Sequence, residues 1–263
     1  LWNLTTGACL RTFEGHGGPI TCVAFRPDGQ AAVSGSTDRG ARVWNLTTGQ
    51  VTQELTGHAS WVNAVAFLGE SKVITASGGR DQSIRVWSLP EGNLVNRLTN
   101  HVGWVRALSV GAEGRTGWTM GVDRSLRAWD LERGVCIRTL EPFASQLTAL
   151  TCSSDGRTAL VVGADRWVWL CPPGESPRQI TELPSPVLAA ALSAENRFAV
   201  LGDAEGTLRI WDFRTGAARV ARPRGDRTRI NAIALIPQSP RILIAGSGNA
   251  ALVWGEPSLP NMP

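Results

Sequence analysis

Side chains suited to chemistry are few in this 263-residue sequence. It holds three His (His16, His58 and His101), five Cys and no Tyr. Histidine is the usual proton shuttle and metal ligand near neutral pH. A zinc protease needs His-Glu-x-x-His on one helix face, and a hydrolase elbow needs Gly-x-Ser-x-Gly. Neither is present, nor is a phosphate-loop Gly-Lys-Ser/Thr. The cysteines (Cys9, Cys22, Cys136, Cys152, Cys171) are odd in number, irregularly spaced and without C-x-x-C. That argues against a disulfide frame or zinc site and for small buried residues in a reducing compartment. Gly246 to Ala251 matches G-x-G-x-x-A. A dinucleotide site needs a helix after this motif, to aim its N-terminus at the pyrophosphate. Here the residues leading to Trp254 read as a strand. No catalytic residue, metal ligand or cofactor is assigned.

The net charge of +4 is unevenly spread. Phe213 to Ile230 carries six Arg (Arg214, Arg219, Arg222, Arg224, Arg227, Arg229) against Asp226, which leaves the rest near neutral with 20 basic and 21 acidic residues. This stretch could meet an acidic, phosphorylated or nucleic-acid partner. It could equally be a solvated edge strand and loop that discourages edge pairing. It lacks interleaved aromatics for base stacking, which counts against nucleic acid. No apolar run reaches the ~18 residues of a membrane span, and no signal-peptide pattern opens the chain. A cytoplasmic protein without membrane contact is the expectation.

The elements that position these residues come from a repeat. Trp recurs at Trp2, Trp44, Trp87, Trp129, Trp169, Trp211 and Trp254, at intervals of 40 to 43 residues. Gly follows the first six by five positions (Gly7, Gly49, Gly92, Gly134, Gly174, Gly216). A tight turn with positive φ is expected there, which Gly reaches without strain. Period-two segments precede five of these Trp: Ile20 to Phe25, Val62 to Phe67, Val105 to Val110, Leu147 to Cys152 and Ile230 to Leu235. Val187 to Leu192 is more evenly apolar. Second strands are expected over Ala31 to Ser34, Val73 to Ser77 and Ala159 to Gly163. A third ends on the Trp, and a fourth follows the Gly, as over Cys9 to Phe13 and Val135 to Leu140. Four short strands per ~42 residues make one propeller blade, and a lone blade cannot bury both faces.

These residues resemble the WD40-repeat β-propeller family over essentially the whole length. Gly15-His16, Gly57-His58 and Asn100-His101 match its Gly-His. Asp38, Asp81 and Asp123 stand six residues before Trp44, Trp87 and Trp129. Ser34, Ser77 and Thr119 stand four before those Asp. The resemblance implies that each such His, hydroxyl, Asp and Trp form one hydrogen-bonded network, so all three His are structural. Later units depart from the pattern. The fourth has Glu141-Pro142 in place of Gly-His, with Asp165 only four residues before Trp169. The fifth has Glu205, and the sixth Gly248, at the Asp position. Six nearly complete blades are expected over 1–257, followed by a tail over 258–263. Leu1 to Leu4 reads as the end of another third strand. That favours a seven-bladed ring with about 35 residues upstream, on the ~42-residue period.

The family resemblance implies a non-catalytic interaction or scaffold module, often attached to upstream signalling domains, monomeric as a domain and holding a peptide or protein partner at the channel rim. Rim positions would lie three and five residues after the Gly-His histidine and just before the network Asp. The candidates are Thr21, Trp61, Asn63, Trp104, Arg106, Thr37, Arg80 and Arg229. Trp and Arg dominate interface hot spots, so Trp61, Trp104, Arg80 and Arg106 are expected to form one aromatic-cationic patch. A propeller enzyme is the remaining alternative, and it would need a convergent acid–base set.

Overall fold

A computed structural model describes residues 1–140, 143–193, 197–213, 215–223, 228–235, 241–246 and 251–255. Every regular element among them is a β-strand. No helix among them is long and apolar enough to cross a membrane. The fold is an all-β propeller built from antiparallel blades, and it divides into two units, Leu1–Pro142 and Phe143–Pro263.

In the first unit, β1 (Ile20–Phe25), β2 (Ala31–Ser36), β3 (Ala41–Asn45) and β4 (Val51–Leu55) form the first four-stranded sheet. β5 (Val62–Leu68), β6 (Lys72–Ser77), β7 (Ile84–Ser88) and β8 (Leu94–Leu98) form the second. β9 (Val105–Val110), β10 (Thr116–Gly121), β11 (Leu126–Asp130) and β12 (Val135–Leu140) form the third. Each is a meander in chain order, the cheapest topology for strands joined by short turns. The second unit repeats this. β13 (Leu147–Cys152), β14 (Ala159–Gly163), β15 (Trp167–Cys171) and β16 (Arg178–Glu182) make one sheet. β17 (Val187–Leu192), β18 (Phe198–Asp203), β19 (Leu208–Asp212) and β20 (Ala218–Ala221) make the next. β21 (Ile230–Leu235), β22 (Arg241–Gly246) and β23 (Ala251–Gly255) form a three-stranded sheet among the described residues.

Blades are held together by apolar faces, not by hydrogen-bonded edges. Val62, Val65 and Phe67 of β5 pack with Val33, Val43 and Leu55 of the first blade. Val105 of β9, with Leu108 and Val110 beside it, packs with Ile74, Val86, Ile84 and Leu98 of the second. In the other unit Ile230 joins Val200, Leu208 and Ile210 in the same manner. Close approach here needs small residues. A Cβ on Gly35 would lie 2.7 Å from Val62 Cγ1 and 2.6 Å from Cys22 Sγ.

The Gly five residues after each Trp adopt φ between 71° and 80° in all six repeats. The residue directly after the Trp explains the turn. Asn45 Oδ1 accepts from the Thr47 and Thr48 amides at 2.9 Å, and Asp130 Oδ1 accepts from the Glu132 and Arg133 amides at 3.1 and 2.9 Å. An Asn or Asp there caps its own turn. Asn3 does the same, so both Asn-Leu-Thr sequences are turn corners.

Two expectations need correction. Cys9 to Phe13 does not form a strand; Trp2 and Cys9 make only an isolated bridge, because the Leu10 and Arg11 amides both turn to the Leu1 carbonyl, at 2.7 and 3.3 Å, and break the ladder register. Cys9 is also exposed, unlike the other four cysteines, which are buried or half-buried.

Candidate functional site

The three His lie in the first unit, one per blade. In the first blade His16 Nδ1 is 2.7 Å from Asp38 Oδ2, and Nε2 is 2.8 Å from Ser34 Oγ. Trp44 Nε1 donates to the same Oγ at 2.7 Å. In the third, His101 Nδ1 lies 3.0 Å from Asp123 Oδ2 and Nε2 lies 2.8 Å from Thr119 Oγ1, which accepts from Trp129 Nε1 at 2.7 Å. One proton arrangement satisfies every group. The indole N–H donates to the hydroxyl, the hydroxyl donates to Nε2, and Nδ1–H donates to the carboxylate.

The second blade corrects the sequence reading. Ser77 is not the bridging hydroxyl; Thr75 is. Thr75 Oγ1 meets His58 Nε2 at 2.7 Å and accepts from Trp87 Nε1 at 2.9 Å, while His58 Nδ1 bonds Asp81. The turn between β6 and β7 is two residues longer than its counterparts in this unit, so counting back four from Asp81 stops two residues short of Thr75. Ser77 Oγ instead donates to the Ser60 carbonyl.

The carboxylates are anchored as ions. Burial opposes ionisation of Asp38, but His16 and the Gly40 and Gly17 amides overcome it and hold the carboxyl at about 2. Asp81 and Asp123 are likewise shifted down against their burial, Asp81 chiefly by His58 and Asp123 by the Val102 amide, Ser125 and His101. Burial pushes the His58 imidazole below its ordinary range, with Asp81 pulling the other way. An arginine two residues before each Trp adds a cation that sequence inspection missed. Arg42, Arg85 and Arg127 lie 3.9, 3.6 and 3.8 Å from Asp38, Asp81 and Asp123.

The second unit uses other means. At the position that pairs two residues beyond the Trp partner, Gly163, Leu201 and Ile244 replace the hydroxyl. Trp211 Nε1 is accordingly buried without a hydrogen-bond partner. Glu205 is not the fifth blade's network acid. Asp203, fully buried at the end of β18, takes that role. It accepts from the Glu205 and Thr207 amides at 2.9 and 2.8 Å, from Ser185 Oγ, and from Arg209 at 2.7 Å. Its carboxylate reaches the loop from the strand end instead of the turn tip, so a fixed offset from Trp211 misses it. In the fourth blade, where β14 and β15 are joined by a three-residue turn, the Asp165 amide donates to Ser145 Oγ.

At the same end of each of the first five blades, the turn after the second strand is tied to the start of the first. Thr37, Gly78, Val122, Ala164 and Ala204 amides donate to the carbonyls of Pro19, Trp61, Trp104, Gln146 and Pro186. Gly78, not Arg80, is therefore the equivalent of Thr37, and Arg80 sits at the exposed tip of the longer turn. Trp61 and Trp104 come together edge to face, ring centroids 6.2 Å apart, and remain 50% and 45% exposed. Arg106 is exposed on the same first strand as Val105.

Thr21 and Asn63 each reach across to the next blade. Thr21 Oγ1 donates to the Val62 carbonyl, and Asn63 Nδ2 donates to the Val105 carbonyl at 3.0 Å. Each staples its blade to the next. Arg229 is exposed but belongs to the second unit, as do Arg219 and Arg222; Arg214, Arg224 and Arg227 lie outside the described residues. Of Gly246 to Ala251, the central four residues also lie outside them, and a strand, β23, follows. No three His, Cys, Asp or Glu gather to hold a metal among the described residues.

Comparison with known proteins agrees with this geometry. The WD domain, G-beta repeat (WD40) family matches residues 7–45 and 49–88, the stretch that ends on Trp44 and on the strand of Trp87. Two WD40 repeats are thus matched within an all-β propeller fold. A 43-residue stretch is 46% identical to the Periodic tryptophan protein 2 homolog of Neurospora crassa. That match covers 16% of this chain and only 5% of the fungal protein. The WD40 matches fall on the first two blades, where the His networks are intact, and the blades without His lie beyond them.

Proposed function

We propose that this WD40 propeller is a non-catalytic scaffold that docks a peptide or protein partner on the rim built by Trp61, Trp104, Arg80 and Arg106. The observation that carries the reading is the exposed Trp61–Trp104 pair, contributed by two adjacent blades on one end of a rigid unit. Large aromatics left in water at a rim favour a partner that covers them. The charge around them gives that partner a sign. Exposed Arg39, Arg80, Arg106 and Arg124 stand at this end, while Asp38, Asp81 and Asp123 turn into their networks. The partner segment carries acidic side chains beside an apolar anchor. The commitment of all three His to structural networks supports a binding role over an acid–base enzyme. The module acts as a monomeric domain of a larger cytoplasmic signalling protein.

The test is partner capture by the parent and by a Trp61→Ala, Trp104→Ala double variant, with circular dichroism to verify the fold. Captured proteins are identified and rebound as purified components. The reading expects the double variant to lose at least tenfold in affinity, since each hot-spot Trp is worth about 2 kcal/mol. Unchanged affinity in a folded double variant sinks it.

A further inference from the structure

Trp61 and Trp104 offer more than apolar area. Their rings meet at 66° with centroids 6.2 Å apart, and both stay half exposed. Trp44, Trp87 and Trp129 each donate their indole N–H to a buried hydroxyl. The indole N–H groups of Trp61 and Trp104 meet no acceptor among the described residues. Two ring faces and two unspent donors therefore stand side by side. Trp104 is also held from below. A Cβ on Gly78 would lie 3.4 Å from Trp104 Cδ2 and 2.6 Å from Asn63 Nδ2, so the indole rests against bare backbone of the blade before it. Val102, two residues before Trp104, is 78% exposed and adds apolar surface to the same loop.

The surroundings narrow what can bind there. An exposed indole face attracts a cation, but exposed Arg39, Arg80, Arg106 and Arg124 stand at this end and repel one. Arg39, Arg80 and Arg106 make no ion pair among the described residues, so their charge is uncompensated. An added β-strand needs a row of free backbone groups. At this end the Thr37, Gly78 and Val122 amides are already spent on the Pro19, Trp61 and Trp104 carbonyls. What fits is a flat apolar group on a backbone that presents carbonyls and asks for no ladder. Proline in a polyproline II helix meets that description, because this helix has no internal hydrogen bonds and is ordered before it binds. Its rise of about 3.1 Å per residue sets residues i and i+2 roughly 6 Å apart, close to the spacing of the two indoles.

We infer that the Trp61–Trp104 pair reads proline in an extended, acid-flanked segment. Pyrrolidine rings pack on the indole faces, and both Nε1–H groups donate to carbonyls of the segment. Carboxylates beside the prolines meet Arg80 and Arg106. This assignment rests on the docking rim proposed above and adds the class of ligand that the rim takes.

The probes are three synthetic peptides: a proline-rich core between glutamates, the same peptide with every proline replaced by alanine, and the proline-rich core between lysines. Heteronuclear NMR of the 263-residue chain follows the indole N–H signals during titration. Trp61→Phe and Trp104→Phe assign those signals, keep an aromatic face and remove the donor, with circular dichroism as the fold check. The inference expects the glutamate-flanked proline core to move both signals. It expects the alanine core, and the proline core against the double Phe variant, each to bind at least about fivefold more weakly, the second through two lost hydrogen bonds. Equal binding of the proline and alanine cores at these signals would overturn it and leave the docking rim standing. Lysine flanks that bind as tightly as glutamate flanks would overturn it, as would full affinity in a folded double Phe variant. A proline core that moves neither signal would overturn it too, and the rim itself is then judged by partner capture with the Trp61→Ala, Trp104→Ala variant.

Discussion

Thr75→Val is the sharpest probe of the His networks. The substitution keeps the side chain's shape and removes only the hydroxyl. Thr75 is fully buried, and its Oγ1 serves both Trp87 Nε1 at 2.9 Å and His58 Nε2 at 2.7 Å. Without it, an indole N–H and an imidazole nitrogen are stranded out of water. Each stranded polar group costs about 1–3 kcal/mol, so the loss should be about 2–6 kcal/mol. Ser77→Ala is the control, because Ser77 Oγ makes only long bonds of 3.3 and 3.4 Å to carbonyls. Its loss should be about 0.5–1 kcal/mol. Urea unfolding followed by Trp fluorescence measures both, and thermal midpoints should separate by several degrees at roughly 2–4 °C per kcal/mol. If Ser77→Ala costs as much as Thr75→Val, the bridging hydroxyl has been misassigned. If Thr75→Val costs under about 0.5 kcal/mol, the network contributes little.

Further outcomes follow from the same geometry. His58 is held below its ordinary value of 6.5, so the stability it contributes is present above that pH and declines as pH falls below it. Asp38, Asp81, Asp123 and Asp203 are held below 3.8, so their contribution is present above about 4 and is lost as pH drops toward 2. Thermal midpoints from pH 8 to 3 should therefore fall gently below 6.5 and steeply below 4; a midpoint that rises between pH 7 and 5 contradicts the His58 assignment. Gly35→Ala should destabilise by about 1–3 kcal/mol, because its Cβ meets Val62 Cγ1 and Cys22 Sγ at 2.7 and 2.6 Å. A midpoint unchanged in urea would show that the first two blades can separate at little cost. Asn63→Ala should destabilise by about 1 kcal/mol through the loss of its bond to the Val105 carbonyl, and an unaltered urea midpoint would remove that staple from the account.

Much of this was legible in the chain. The strand limits Ile20–Phe25, Val105–Val110, Leu147–Cys152 and Ala159–Gly163 follow from alternation and turn residues alone, because both are local properties. The positive φ of Gly49 or Gly134 follows from a turn that only a residue without Cβ enters freely. What was not legible depended on three-dimensional register. Two extra turn residues moved the bridging hydroxyl from Ser77 to Thr75. Asp203 entered its site from a strand end. Thr21 and Asn63, polar residues at a rim, turned out to bond the next blade's carbonyls, which no one-dimensional pattern reveals. The pairing of Trp61 with Trp104 followed from the repeat, since equivalent positions on adjacent blades must be neighbours.

The most direct measurement of the docking claim is site-specific photo-crosslinking. A benzophenone side chain replaces Trp61 in one protein and the exposed Ile137, on the fourth strand of the third blade, in another. The account predicts partner crosslinks from position 61 and none from 137, with added acidic peptide competing. Crosslinks from 137 with none from 61 would place the partner elsewhere and contradict it.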